Sequence, residues 1–402
     1  MIKSARILST TVALLALLAP VSHGQVAWPQ QAVRGTHGMV ATDEELGSQA
    51  GVEILKRGGN AVDAGVAVAF ALAVVEPAAG NIGGGGFMLV RLADGRSTFF
   101  DYREVAPGKA TRDMYIGADG KLVKNLSVIG YKSVAVPGTV AGLELALKTY
   151  GKLKLADVMA PAIRLAEDGF PISEKMAKQL EDQREYLQEF AVSRRIFLND
   201  GKMFKAGDTF KQPELAATLK RIAKNGAAEF YRGETAHMIA DDMQRMGGLI
   251  RLEDLAQYQP KMRQPLHADY ELDGHKWEVI SSPPPSSGGV AIIEAMNMLQ
   301  GVPLKGWNDL ESVHMVVETM RRVFADRAAY LADPDFSRVP VDGLTSECYA
   351  NELEATIDPL HATPSSAVKA GTPHVCGVSA AMPAPQTVSG LGEGQHTTHF
   401  SV

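Results

Sequence analysis

The chain has 402 residues, of which 46% are hydrophobic and 21% charged, and its formal net charge at pH 7 is −6. That mixture excludes a disordered or fibrous chain, and the acidic balance gives neither nucleic acid nor an anionic membrane a reason to bind. The 39 glycines and 16 methionines suit a closely packed globular body.

Residues 1–24 read as a signal peptide. Lys3 and Arg6 supply the positive start, residues 7–19 an apolar run interrupted by Ser9, Thr10 and Thr11, and Ser22 and Gly24 the small residues that a signal peptidase reads. Cleavage is expected before Gln25, and with it export to the periplasm or the medium. The run is too short to span a bilayer, and no cysteine follows it that could carry a lipid.

Thr42 with Glu45 three residues on predicts a capping box that opens a helix running to Lys56 and Arg57 and stopping at Gly58-Gly59. A second helix starts at Asn60, with Asp63 in its first turn. Its body, residues 61–75, is almost entirely small and apolar, which predicts burial on all sides. Glu76-Pro77 ends it. Gly80-Asn81-Ile82-Gly83-Gly84-Gly85-Gly86 comes next and leads into two strands, 87–92 and 97–102, joined as a hairpin by Ala93-Asp94-Gly95-Arg96. No Gly-Lys-Ser/Thr completes a phosphate loop, and the segment leads into a strand rather than a helix. The glycines are therefore expected to serve positive φ and close backbone approach.

Beyond Pro137 the pattern is mainly helical, with helices around 139–149, 154–167, 173–188, 213–224, 234–245 and 309–331. Strand-like pieces fall at 268–273 and 276–281. Pro283-Pro284-Pro285-Ser286-Ser287-Gly288-Gly289 breaks the second and precedes another helix. Residues 361–395 have no sustained period and are rich in Ser, Ala, Gly and Pro, as a linker is. Residues 396–402 then alternate and are β-branched or aromatic, a strand start, and the sequence stops within it. A domain seldom ends there, because a strand's backbone groups need partners. The two cysteines, Cys348 and Cys376, could be joined in an exported chain or remain inert thiols; they form neither a disulfide framework nor a metal-ligand pattern.

Three features invite a chemical reading. His396 and His399 flank Thr397-Thr398, but on a strand they point to opposite faces and no further ligands are near, so no metal is expected. Thr397 is a poor nucleophile until a base takes its proton. A cut before it would free an α-amine whose ordinary pKa of about 7.7–8.0 suits that task near pH 7. Taken alone, Thr-Thr in a strand is ordinary β-propensity. Arg103 stands at the end of the second hairpin strand, where its fork could hold a carboxylate or simply pair with Asp101 or Glu104. No Gly-x-Ser-x-Gly elbow occurs.

Several segments together resemble γ-glutamyltransferases: Gly-Gly-Asn-Ala-Val-Asp-Ala (58–64), Gly-Asn-Ile-Gly-Gly-Gly-Gly-Phe-Met (80–88), Asp-Tyr-Arg-Glu-Val-Ala-Pro (101–107), Val-Pro-Gly-Thr-Val-Ala-Gly (136–142), Pro-Pro-Pro-Ser-Ser-Gly-Gly (283–289), Ala-Asp-Arg (325–327) and Thr-Thr-His-Phe-Ser-Val (397–402). They stand in the family's order and span nearly all of the chain after the leader. The resemblance implies an α+β fold, the αββα sandwich of N-terminal-nucleophile hydrolases. It implies a precursor that cuts itself between His396 and Thr397, leaving a large subunit over 25–396, with its linker at about 361–396, and the start of a small subunit at 397–402. Thr397 would be the nucleophile and Arg103 the holder of the donor's α-carboxylate. The substrates implied are glutathione, other γ-glutamyl compounds and acceptor amines, with no cofactor. The family continues well past this threonine, so the 402 residues alone are expected to be inactive without the rest of the small subunit. A glutaryl or cephalosporin acylase of the same superfamily is the rival reading, since its donor also carries a carboxylate.

Overall fold

The computed structural model describes residues 33–272, 274–378 and 397–402, so the expected leader, His396 and the later half of the expected linker lie outside the described residues. Two units divide the chain, residues 1–39 and Val40–Val402, and the described residues of the first form no helix or strand.

The second unit opens with strand β1 (Ala41–Thr42), helix α1 (Glu45–Lys56) and helix α2 (Ala61–Val75). In α2 every residue except Ala61 and Ala69 is buried, as the lack of a polar face requires. Its N-terminus is closed reciprocally: Asn60 Oδ1 accepts from the Val62 and Asp63 amides at 2.9 and 3.1 Å, and Asp63 Oδ2 accepts from the Asn60 amide at 2.8 Å. Asp63 is fully buried, and its other oxygen takes the Lys152 and Leu153 amides at 2.9 and 3.0 Å, so backbone donors meet the charge.

Thr42 does not cap α1. It is the last residue of β1, and the capping position falls to Glu44, whose side chain makes no cap bond. The Thr-x-x-Glu pattern is a local signal, and here a strand pairing with the far end of the chain overrides it: Thr42 faces Phe400 in an antiparallel ladder.

Strands β2 (Phe87–Arg91) and β3 (Ser97–Asp101) form the expected hairpin, with Gly95 at φ +90° in its turn. Contrary to expectation, none of Gly83 to Gly86 has a positive φ. Close approach is their use: a Cβ on Gly85 would lie 2.6 Å from the Tyr102 carbonyl oxygen. Helices α3 (Thr139–Tyr150) and α4 (Leu155–Asp168), strand β4 (Phe170–Pro171) and helices α5 (Glu174–Asp182), α6 (Arg184–Leu187) and α7 (Ala191–Phe197) come next. The single helix expected over 173–188 is thus two, broken at Gln183. Strand β5 (Thr209–Phe210) pairs with β4, and α8 (Pro213–Asn225), α9 (Ala227–Arg232), α10 (Glu234–Arg245) and α11 (Leu252–Gln257) complete the main core. Phe70, Leu143, Met159, Phe210 and Leu219 are among its fully buried side chains.

Strand β6 (Lys261–Arg263) adds to β3, giving the order β2-β3-β6. Strands β7 (Leu266–Leu272) and β8 (His275–Ser281) form a separate hairpin. Helices α12 (Gly288–Leu299), α13 (Leu310–Tyr330), α14 (Val341–Leu344) and α15 (Glu347–Glu354) then build a second, smaller core around Val290, Met298, Val323, Leu344 and Tyr349. Cys348 and Cys376 are bridged, which ties the irregular segment 361–378 to α15. Strand β9 (Phe400–Ser401) lies against β1, and 397–399 precede it without regular structure, so the strand is shorter than the alternation from 396 suggested. Among the described residues no helix is long and apolar enough to cross a membrane.

Candidate active site

Arg103 follows β3 directly, and two contacts fix its backbone while leaving its head group open. Its amide donates to Asp101 Oδ1 at 3.1 Å, and its carbonyl accepts the Tyr258 hydroxyl at 2.9 Å. Burial pushes the Tyr258 phenol far above its ordinary pKa, so it stays a donor. Tyr258 stacks on Tyr231 at 5.5 Å, and the Tyr231 hydroxyl donates to the Pro137 carbonyl at 2.9 Å. The two glycines of Val-Pro-Gly-Thr-Val-Ala-Gly make this packing possible. A Cβ on Gly138 would strike the Tyr102 carbonyl and the Tyr258 hydroxyl, and one on Gly142 would strike the Tyr102 side chain. The motifs at 80–88, 101–107 and 136–142 therefore form one packed support.

The ion pair between Arg103 and a neighbouring acid does not form. Asp101, one of the two candidates, gives its Oδ2 to Arg263 of β6 at 2.7 Å, and Arg263 reaches on to Asp335 at 2.8 Å. Lys261 also contacts Asp335. The Arg263 and Lys261 cations hold the Asp335 carboxyl down at about 2. The exposed Arg103 guanidinium lies 5.9 Å from the Phe87 ring centroid and pairs with no acid among the described residues. A guanidinium backed by an aromatic face and free of internal carboxylates is disposed to take an external one.

Arg103 faces a cavity of about 720 Å³ that it shares with Thr397. Tyr258, Gln259 and Lys261, from β6 and the chain before it, and Ser286, Ser287 and Arg327, near the second core, also line it, together with acids that include Glu104 and Asp335. The Pro-Pro-Pro-Ser-Ser-Gly-Gly and Ala-Asp-Arg motifs meet here, where Arg327 Nε donates to Ser287 Oγ at 2.9 Å. Thr397 is exposed to the cavity, while the residues after it are anchored: Thr398 Oγ1 donates to Glu76 at 2.7 Å and Phe400 packs against the main core. The structure thus brings Arg103 and Thr397 to one cavity. The Gly-Gly-Asn-Ala-Val-Asp-Ala motif lies in the α2 cap and serves the fold.

The family model for gamma-glutamyltranspeptidase matches residues 47–402. The chain belongs to that family. A glutathione hydrolase proenzyme from a Pseudomonas species is 43% identical over 93% of this chain and 62% of its own length. The crystal structure of Helicobacter pylori gamma-glutamyltranspeptidase superposes with a TM-score of 0.82 at 42% identity, covering 87% of this chain and 100% of that one. An acylase ACY 1 proenzyme from another Pseudomonas strain is 39% identical over 89% of this chain and 66% of its own length. The chain spans about three fifths of the length of the first two curated relatives it matches. The N-terminal-nucleophile α+β fold expected from the motifs is that of this gamma-glutamyltranspeptidase family chain.

Sequence reasoning missed the parts of the site that depend on distant pairs. Tyr258 under Arg103, Arg263 on Asp101 and Glu76 under Thr398 each come from segments far from the motif they support. A charged residue directly after a helix whose body is almost entirely apolar was the one visible signal for Glu76.

Proposed function

We propose that the full-length protein transfers γ-glutamyl groups from glutathione and related donors to water or to an acceptor amine through an ester on Thr397. The observation that carries this reading is the shared cavity: Thr397 and Arg103, picked from separate motifs, both line it, and Arg103 pairs with no acid among the described residues. The precursor is exported on its leader, residues 1–24, and matures by cutting itself before Thr397. The Thr397 hydroxyl attacks the His396 carbonyl carbon, the 396–397 C–N bond breaks, and the acyl group passes to Oγ. Water then hydrolyses that ester, leaving a carboxylate on His396 and a free α-amine on Thr397. The large subunit is 25–396, with its linker over 361–396, and the small subunit begins at 397.

In turnover the α-amine takes the proton of its own hydroxyl, since a useful fraction of an amine with pKa about 7.7–8.0 is neutral near pH 7. Oγ attacks the γ-amide carbon, the amide C–N bond breaks, and the proton passes to the leaving amine of Cys-Gly. Water or an acceptor amine then attacks the γ-glutamyl ester and restores the hydroxyl. Arg103 holds the α-carboxylate away from the reacting bond and orients the donor.

The similarity to acylase ACY 1 supports a second reading, hydrolysis of glutaryl amides. Arg103 serves either donor, because both end in a carboxylate. Steady-state kinetics of the full-length protein on γ-glutamyl-p-nitroanilide and on a glutaryl anilide tests the choice. The γ-glutamyl donor is expected to have the higher kcat/KM, and a preference for the glutaryl amide would reverse the assignment.

A further inference from the structure

We infer that Glu76 is a positioning residue for the nucleophile, holding Thr397 in place through the hydroxyl of Thr398. This rests on the role of Thr397 proposed above. Thr397 itself makes no side-chain hydrogen bond among the described residues. Thr398 and Phe400 set its place. Thr398 Oγ1 donates to Glu76 Oε2 at 2.7 Å; Phe400 pairs with Thr42 and its ring lies against Gly65 of α2, where a Cβ would come within 3.2 Å. The Thr398 contact is the nearest of these to the nucleophile, one residue away. A newly freed chain end is otherwise held on one side only, and ends fray.

Glu76 is built to be a fixed point. It follows the most buried helix of the fold, and its amide still donates to the Leu72 carbonyl at 2.9 Å. Its own carbonyl takes the Ala79 and Gly80 amides at 3.1 and 2.8 Å. Its carboxylate is buried at 6% exposure, which would be costly for a lone charge. Lys175 supplies the counter-ion at 3.3 Å and also contacts Asp43. The hydroxyl of Thr398 therefore donates to a carboxyl group that is itself held in place, through its other oxygen, by Lys175. None of these groups lines the cavity that Arg103 faces, so the donor's carboxylate grip is independent of them.

The test uses the full-length protein with Glu76→Gln, Thr398→Val and Thr398→Ser, beside Thr397→Ala. Thr398→Val replaces the hydroxyl with a methyl group of similar size, which keeps the test valid if Glu76→Gln fails to fold. Self-cleavage is timed on denaturing gels, and kcat and KM are measured on γ-glutamyl-p-nitroanilide. Glu76→Gln and Thr398→Val should slow self-cleavage and lower kcat by about tenfold or more, the scale of a misplaced reacting group. KM should stay within about twofold, since ground-state binding is untouched. Thr398→Ser keeps the hydroxyl and should restore most of the rate. Wild-type kcat in Thr398→Val, a raised KM at unchanged kcat, or Thr398→Ser as slow as Thr398→Val would each overturn the inference. Turnover by Thr397→Ala would instead overturn the role of Thr397 itself, so the two failures are distinguishable.

Discussion

At the scale of single residues, the setting of Arg103 explains how one cation can be kept available in a chain with more acids than bases. The acid two residues before it is committed elsewhere: Asp101 binds Arg263 through one oxygen and the Arg103 amide through the other. The carboxylate thus fixes the Arg103 backbone while leaving the guanidinium unpaired. Tyr258 adds a second backbone anchor. A change of the Arg103 side chain alone should then act on donor binding with little effect on the surrounding packing. Arg103→Lys keeps the charge and loses the two-pronged fork, so KM for γ-glutamyl donors should rise about tenfold to hundredfold. Steady-state kinetics checks this, and an unchanged KM would remove Arg103 from donor binding. The sequence alone pointed to Arg103 but left its partner open, because the cation that claims Asp101 lies on another strand, β6.

At the scale of elements, the long periodic segments and the local caps were legible, and the pairings between distant segments were not. The buried character of α2 follows from its composition, and its Asn60–Asp63 cap from local spacing. Thr42 shows the opposite case, a well-formed local signal overruled by a ladder with Phe400. The short helices α7, α9, α11 and α14 hold too few turns to display a period. The glycines divide by physical role as well. Gly142 sits on α3 where any Cβ would strike Tyr102, whereas Gly95 turns the hairpin at φ +90° with open space around it. Gly142→Ala should cost about 3 kcal/mol, the upper end of overpacking, and displace Tyr102 beside Arg103. Gly95→Ala should cost about 1 kcal/mol, the strain of a left-handed residue. Denaturant unfolding of both variants checks the order, and equal losses would contradict the packing account.

At the scale of the molecule, the cavity runs along the seam between the two cores. Its walls come from the β2-β3-β6 sheet on one side and, on the other, from the loop that leads into α12 and from the C-terminal end of α13. Asp335, just past the end of α13, crosses that seam to Arg263 and Lys261 of β6. Arg263 first and Lys261 second hold its carboxyl down at about 2. A depressed carboxylate contributes stability that is fully present above its unfolded pKa of about 3.9 and is lost as pH falls through the folded value. Thermal unfolding from pH 7 downward should therefore show Tm falling between about pH 4 and pH 2, with part of the fall due to this link. Asp335→Asn should have a lower Tm at pH 7 and a shallower fall over that window; a curve parallel to wild type would show that the link contributes nothing. The second core itself was the least legible part of the fold, since the Cys348–Cys376 bridge that fastens it could not be deduced from two cysteines alone.

The most direct test of the account is the fate of the bond before Thr397 in the full-length protein. Wild type and Thr397→Ala are compared by denaturing gel and by mass and N-terminal analysis of the smaller fragment, with turnover measured on γ-glutamyl-p-nitroanilide. The account predicts two polypeptides from wild type, the second starting at Thr397, and a single inactive chain from Thr397→Ala. Two polypeptides from the variant, or a wild-type fragment that begins elsewhere, would contradict it.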